Sequence, residues 1–122
     1  MSFAVSDSVS QVLATALDGV AERQRVIADN IANVDTPGFR ATSVDFETQL
    51  KSAIADGEFS SGAPVASGIT ETPTDTPVGA NGNNVDLRKE TMAAIQSQYQ
   101  YQILTRAVSD RFNLLKTAAT GA

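Results

Sequence analysis

Apolar residues recur at helical spacing through the first 35 residues. They fall three or four positions apart over most of the stretch, with an interruption around Arg23 and Gln24: Val9, Leu13, Ala16, Val20, Ile27, Ile31 and Val34. This spacing predicts one long amphipathic helix. Any one of Ser6, Asp7 and Ser8 is suited to be the N-cap of this helix. Pro37 disfavours the α conformation of Thr36, so the helix should end by about Asp35.

A second helical pattern covers residues 85–122. Asp86 is the expected N-cap. The apolar positions that follow are again mostly three or four apart: Met92, Ile95, Tyr99, Ile103, Leu104, Val108, Phe112 and Leu115. The stripe they form drifts around the helix, which indicates contact with more than one neighbour.

The segment between the two helices, residues 36–84, has a different composition. It holds all four prolines and many Gly, Ser, Thr and Asn residues. Residues 41–55 are compatible with a short strand or with a helical turn. Residues 57–84 contain no Lys or Arg and show no apolar period, so we expect a loop. The predicted organisation is therefore 1–35, 36–84 and 85–122, with the two helices forming one discontinuous domain.

These patterns predict a mainly α protein whose long terminal helices pair into a coiled-coil-like bundle, with an irregular middle segment that admits a short β element. Two helices alone leave much of each stripe in water, so each requires further neighbours. We therefore interpret the protein as a helical assembly subunit. The candidate helix-packing residues are Leu13, Val20, Ile27, Ile95, Tyr99, Leu104, Val108, Phe112 and Leu115.

Composition narrows the possible functions. The 122 residues include 14 acidic and 9 basic side chains, a formal net charge of −5, and neither His nor Cys. The lack of His and Cys removes most metal sites, thiol nucleophiles and His-based acid–base catalysis. The acidic balance argues against nucleic acid as a partner. We therefore expect no catalytic, cofactor-binding or metal-binding residues. No apolar run is long enough for a membrane span, and no secretory signal is expected at the N-terminus.

The end of the first helix carries the most distinctive residues. Thr36-Pro37-Gly38-Phe39 is a type II turn candidate, because Pro supplies the fixed φ and Gly the positive φ. Asn30 and Asn33 lie three positions apart just before it. They are compatible with two roles: satisfying carbonyls at the helix end, or bonding a neighbouring backbone and so fixing its register.

The same residues resemble a known family. Asn30-Ile31-Ala32-Asn33, followed after two residues by Thr36-Pro37-Gly38-Phe39, is similar to the signature of bacterial flagellar rod, hook and hook-associated proteins. Further elements resemble the proximal-rod members of that family: Arg23-Gln24-Arg25, Val44-Asp45-Phe46, and the Asn81–Leu87 element that contains Asn84, Val85 and Asp86.

The resemblance implies a non-enzymatic structural subunit of the flagellar basal-body rod, polymerising through axial terminal helices, with a turn motif that serves assembly. It implies transmission of torque and a link between the membrane ring and the rest of the rod. It also implies export through the flagellar type III apparatus without a cleaved signal, and a location in the cell envelope, periplasmic in a two-membrane cell. The implied partners are further copies, other rod proteins, the rod–ring adaptor and the membrane-ring protein. The alternatives are a neighbouring rod subunit, or a free-standing acidic helical-hairpin adaptor or export chaperone.

Overall fold

Two long antiparallel helices dominate the structure, a computed structural model that describes residues 3–60 and 69–121. Within those residues the elements are α1 (Phe3–Ala32), β1 (Thr42–Val44), α2 (Glu47–Ala55), β2 (Glu71–Pro73) and α3 (Leu87–Thr120). The end of α1 lies beside the beginning of α3, where Ile27 and Ala94 line one groove. The beginning of α1 lies beside the end of α3, where Leu13 and Phe112 line another.

The boundaries of α1 differ from the expected ones at one end. The helix begins at Phe3, so the three residues 6–8 lie inside it and the prediction that one of them caps it was wrong. No Pro or Gly stands between Phe3 and Gly19 to stop the helix earlier. Its last residue is Ala32, and turns continue to Asp35. The predicted end before Pro37 is confirmed.

The residue that caps the start of α3 is the one that the sequence predicts. Asp86 has an extended backbone, and its carboxylate accepts a hydrogen bond from the backbone N–H of Lys89, at 3.2 Å. This is the arrangement expected of an N-cap residue. The helix closes at Gly121, whose φ of +68° places it in the left-handed conformation common at helix ends.

The middle segment holds more regular structure than the composition suggested. Residues 41–55 contain both alternatives, since β1 and α2 follow one another there. The expectation of a loop over 57–84 was wrong at β2, which lies within it, whereas the short β element allowed for the middle segment is confirmed. β2 pairs with β1 antiparallel, with Thr42 opposite Pro73 and Val44 opposite Glu71. Buried and exposed positions alternate in β1, but a strand of three residues is too short for this alternation to be recognised in the sequence.

A small core joins α1 to this middle segment. It consists of Ala16, Val20, Val26, Val44 and Phe46, with Leu50, Ile69 and Leu104 packed against it. Gly19 sets how closely Phe46 approaches α1. A Cβ at Gly19 would lie 2.3 Å from the Phe46 ring, so only glycine leaves room for that ring. The core is thus built on one face of α1 by residues from the middle segment and from α3.

Small side chains lie along part of the contact between α1 and α3. Ser97, in the first third of α3, is fully buried, and Ala93, Ala94 and Ala107 are partly buried along the same side. Small residues let the two helices approach closely there. Of the larger apolar side chains of α3, Leu104 packs against the core and Phe112 lines the groove beside Leu13, whereas others are exposed. None of the described helices is long and apolar enough to cross a membrane.

Candidate functional site

The turn after α1 has the geometry that its residues predict. Gly38 has a φ of +77°, and the N–H of Phe39 donates to the carbonyl of Thr36 at 3.2 Å, which are the features of a type II turn. The N–H of Gly38 itself donates to the carbonyl of Asn81 at 2.9 Å. The turn is therefore held against a second loop, which directly precedes α3.

Asn83 joins the two loops through its side chain. Its amide nitrogen Nδ2 donates to the carbonyls of Asn33 and Thr36, both at 2.8 Å. Its Oδ1 accepts from the N–H of Val85 at 2.7 Å. Asn83 is only 7% exposed. One buried amide thus binds the end of α1 and the residue that precedes the α3 cap, which fixes where one helix stops relative to where the other starts.

Asn84 makes a second set of bonds beside it. Its N–H donates to the carbonyl of Phe39 at 3.2 Å, and its Oδ1 accepts from the N–H of Ala41 at 2.6 Å. Its Nδ2 donates to the carbonyl of Thr76 at 3.2 Å. We call the set formed by Asn33, Thr36–Phe39, Asn81, Asn83 and Asn84 the asparagine node.

Asn30 and Asn33 divide the two roles between them. Asn33 donates from Nδ2 to the carbonyl of Asp29 at 2.8 Å, four residues earlier, and so satisfies a carbonyl of the helix end. Asn30 is 1% exposed and bonds the backbone of Thr42 twice: Nδ2 donates to the carbonyl at 2.8 Å and Oδ1 accepts from the N–H at 3.3 Å. Asn30 therefore fixes the position of β1 on α1.

Arg23 adds further contacts between α1 and β1 and reaches two more helices. Its guanidinium donates to the carbonyl of Val44, forms an ion pair with Glu47 and donates to the Gln100 Oε1 at 2.9 Å. It also lies 4.8 Å from the centre of the Phe46 ring, a cation–π contact. Hydrogen bonds from Arg23 lower the pKa of the Glu47 carboxyl. One cation on α1 thereby connects β1, α2 and α3.

The contacts of this site hold structural elements in place. Among the described residues, no three acidic, His or Cys side chains are grouped so that they could hold a metal ion. The side-chain amides of Asn83 and Asn84 bond backbone groups of the same protein, where they determine the relative placement of the helices.

Comparison with known proteins gives these motifs their context. Residues 11–40 match the family described as "Flagella basal body rod protein". The sequence is 38% identical to the flagellar basal body rod protein FlgB of Bacillus subtilis, over 91% of this protein and 92% of the relative. It is 35% identical to FlgB of Escherichia coli, over 77% and 80%, and 31% identical to FlgB of Borreliella burgdorferi, over 79% and 84%. The protein belongs to the FlgB family of flagellar basal-body rod proteins.

In this FlgB-family member, the predicted packing residues fall into two groups. Val20 and Ile27 of α1 are buried, and Leu13 and Leu104 are partly buried. The others, all on α3, are exposed: Ile95 (51%), Tyr99 (63%), Val108 (36%), Phe112 (66%) and Leu115 (37%). Packing of that second group against other subunits stays a prediction. Of the turn motif, Ile31 and Phe39 are partly buried, whereas Thr36 and Pro37 are exposed.

Sequence reasoning missed three important residues of this FlgB-family member. Asn83 stands out in the sequence only as part of a motif, although it connects the two loops. The links from Arg23 to Glu47 and Gln100 span 24 and 77 residues and have no local pattern. Gly19 had a signal, since it is the only glycine before Gly38, but only the structure shows that Phe46 packs against it.

Proposed function

We propose that this structural, non-enzymatic subunit of the flagellar basal-body rod polymerises through its terminal helices. The turn motif and the Asn84–Asp86 element set the angle at which those helices meet their neighbours. In this proposal the discontinuous domain, 1–35 with 85–122, forms the axial layer, and residues 36–84 lie outside it.

The supporting observation is the surface of α3 that faces away from α1. Met92, Ile95, Tyr99 and Ile103 are 51–69% exposed and lie three or four residues apart, so they share one side of the helix. We call these four residues the outer stripe. Residues 91–105 around them contain no charged side chain, over a length of about 22 Å at ~1.5 Å per residue.

Such a surface is typical of a protein–protein interface. Charged residues are depleted at interface cores, where aromatic residues and Met are enriched. An apolar side chain of this size contributes ~1.5–3 kcal/mol when its burial is complete. A continuous exposed stripe on a long helix therefore favours packing against a neighbouring subunit.

Membership of the family supports the remaining parts of the proposal, which concern partners, export and location. We propose that neighbouring rod proteins, a rod–ring adaptor and the membrane-ring protein are the partners, and that the flagellar type III apparatus exports the protein. The location within the basal body would then be periplasmic in a two-membrane cell, where the subunit transmits torque between ring and rod.

The test replaces one residue of the outer stripe in a strain that lacks the native protein. Ile103→Ser should lower the amount of protein found in isolated basal bodies by about tenfold or more, the equivalent of ~1.5–3 kcal/mol, and should reduce motility. Gln102→Ser, a neighbouring exposed polar position, is the matched control and should assemble normally. Equal assembly of both variants would contradict the proposal. A small closed complex in place of incorporation would support the adaptor alternative.

A further inference from the structure

The loop that holds the turn contains a chemically reactive dipeptide, Asn81-Gly82. Gly82 has a φ of +79°, and a Cβ there would lie 3.2 Å from the Cα of Gly38. The crossing of the two loops therefore requires glycine at this position. Gly82 therefore directly follows Asn81, whose side chain is exposed. An Asn-Gly pair is the dipeptide most prone to deamidation, because glycine has no Cβ to hinder attack by its backbone nitrogen.

We propose that Asn81 is a deamidation site whose reactivity is controlled by the asparagine node. In the reaction the backbone nitrogen of Gly82 loses its proton and attacks Cγ of Asn81. A new C–N bond forms, the Cγ–Nδ2 bond of Asn81 breaks and ammonia leaves. Water then opens the resulting succinimide to aspartate or to isoaspartate. The departing Nδ2 group takes up one proton as it leaves as ammonia, which balances the proton lost by the Gly82 nitrogen. The net reaction consumes one water, and base acts only as a catalyst.

The folded node holds each reacting group in place. The nucleophile, Gly82 N–H, donates to the carbonyl of Gly79 at 3.0 Å. The Oδ1 of Asn81 accepts from the N–H of Asn83 at 3.2 Å, and the backbone carbonyl of Asn81 accepts from Gly38 at 2.9 Å. Ring closure requires rotation of the Asn81 side chain and release of the Gly82 N–H. The reaction therefore proceeds from an opened node, whose population is small while the protein is folded.

Modification would in turn prevent the node from closing. Isoaspartate adds one methylene group to the backbone between residues 81 and 82 and displaces the carbonyl that accepts from Gly38. A protein that is converted to isoaspartate before it folds cannot then form the contact between the two loops. A protein that folds first is protected. The site thus distinguishes promptly folded subunits from those left unfolded.

The test measures deamidation in the intact protein by peptide mapping with mass spectrometry, at mildly alkaline pH. Folded wild-type protein is compared with the same protein in urea, with Asn113 as an internal reference because Leu114 follows it. We expect deamidation at Asn81 to be slower by about tenfold or more in the folded protein, and slow at Asn113 in both samples. Equal rates at Asn81 with and without urea would overturn the proposal.

Two variants test whether the node provides the protection. Asn83→Ala should deamidate at Asn81 faster than wild type without urea, with circular dichroism verifying that the helices remain. Asn83→Asp, which keeps an acceptor for Val85 but loses the amide donor, should behave likewise. Protection that persists in both folded variants would overturn control by the node. Asn81→Asp, which keeps the normal backbone, should retain the resistance of the Gly38 amide to hydrogen exchange, whereas the isoaspartate form should lose it.

Discussion

Replacement of Asn83 by alanine tests the part of the structure that joins the two long helices. The substitution removes two hydrogen bonds from Nδ2, to the carbonyls of Asn33 and Thr36, and one from the N–H of Val85 to Oδ1. All three are 2.7–2.8 Å long, and the side chain is buried. We expect the end of α1 and the beginning of α3 to separate while each helix persists.

The expected loss of stability can be worked out from these contacts. A hydrogen bond contributes ~0.5–1.5 kcal/mol net, and a buried partner left without one costs more. Thr36 is exposed, so water can replace the bond to its carbonyl at little cost. The other two bonds end at less accessible backbone groups. We therefore expect Asn83→Ala to lower the free energy of unfolding by ~2–4 kcal/mol.

The matched control is the neighbouring asparagine. The Asn81 side chain is exposed, and its Oδ1 accepts one hydrogen bond from the N–H of Asn83 at 3.2 Å. The bond from the Gly38 N–H ends at the backbone carbonyl of Asn81, which the substitution keeps. Asn81→Ala should therefore cost less than ~1 kcal/mol. Urea unfolding followed by circular dichroism measures both. A cost for Asn83→Ala within ~0.5 kcal/mol of zero, or equal costs for the two variants, would refute the assigned role of Asn83.

Three further substitutions test other contacts. Gly38→Val places a β-branched residue at positive φ and should lower the free energy of unfolding by ~1–2 kcal/mol. It should leave export intact but abolish rod completion and motility, and a variant that swims normally would show that the turn has no role in assembly. Gly19→Ala should lower the free energy of unfolding by ~1–3 kcal/mol because the Phe46 ring must move. Alanine gains ~1 kcal/mol in helix propensity, so a more stable variant would show that the ring can move at little cost. Arg23 lowers the pKa of Glu47 below 4.5, so the contribution of their ion pair to stability is complete above that pH and is lost as pH falls through the folded-state pKa. Glu47→Gln should weaken this acid dependence in urea titrations at several pH values, and an unchanged dependence would show that other carboxylates cause it.

Local chemistry made both long helices and the turn predictable. The apolar period, the Asp86 cap and the Pro37-Gly38 pair each act within a few residues of their own position. Each was found where the sequence indicated it. The predicted start of α1 was wrong because capping residues are also tolerated inside a helix when nothing ends it earlier.

Contacts between distant residues could not be predicted in the same way. Asn83 bonds residues 47 and 50 positions away, and Arg23 reaches Gln100 across 77 positions. No periodicity encodes such pairs. The apolar period of α3 also does not reveal which side meets α1. The structure buries small residues such as Ser97 and part of Leu104 there, and leaves Ile95 and Tyr99 exposed.

The most direct measurement of the central claim is crosslinking inside assembled basal bodies. A photoreactive amino acid at Tyr99, 63% exposed in the single subunit, should crosslink to another copy or to a neighbouring rod protein. The same group at Lys51, an exposed position on α2 outside the terminal helices, is the control and should give less of that product. A dominant crosslink from Tyr99 to a rod subunit is the result we expect. Basal bodies that contain the protein but give no rod-protein crosslink at Tyr99, or an equal yield from Lys51, would contradict polymerisation through the outer stripe of α3.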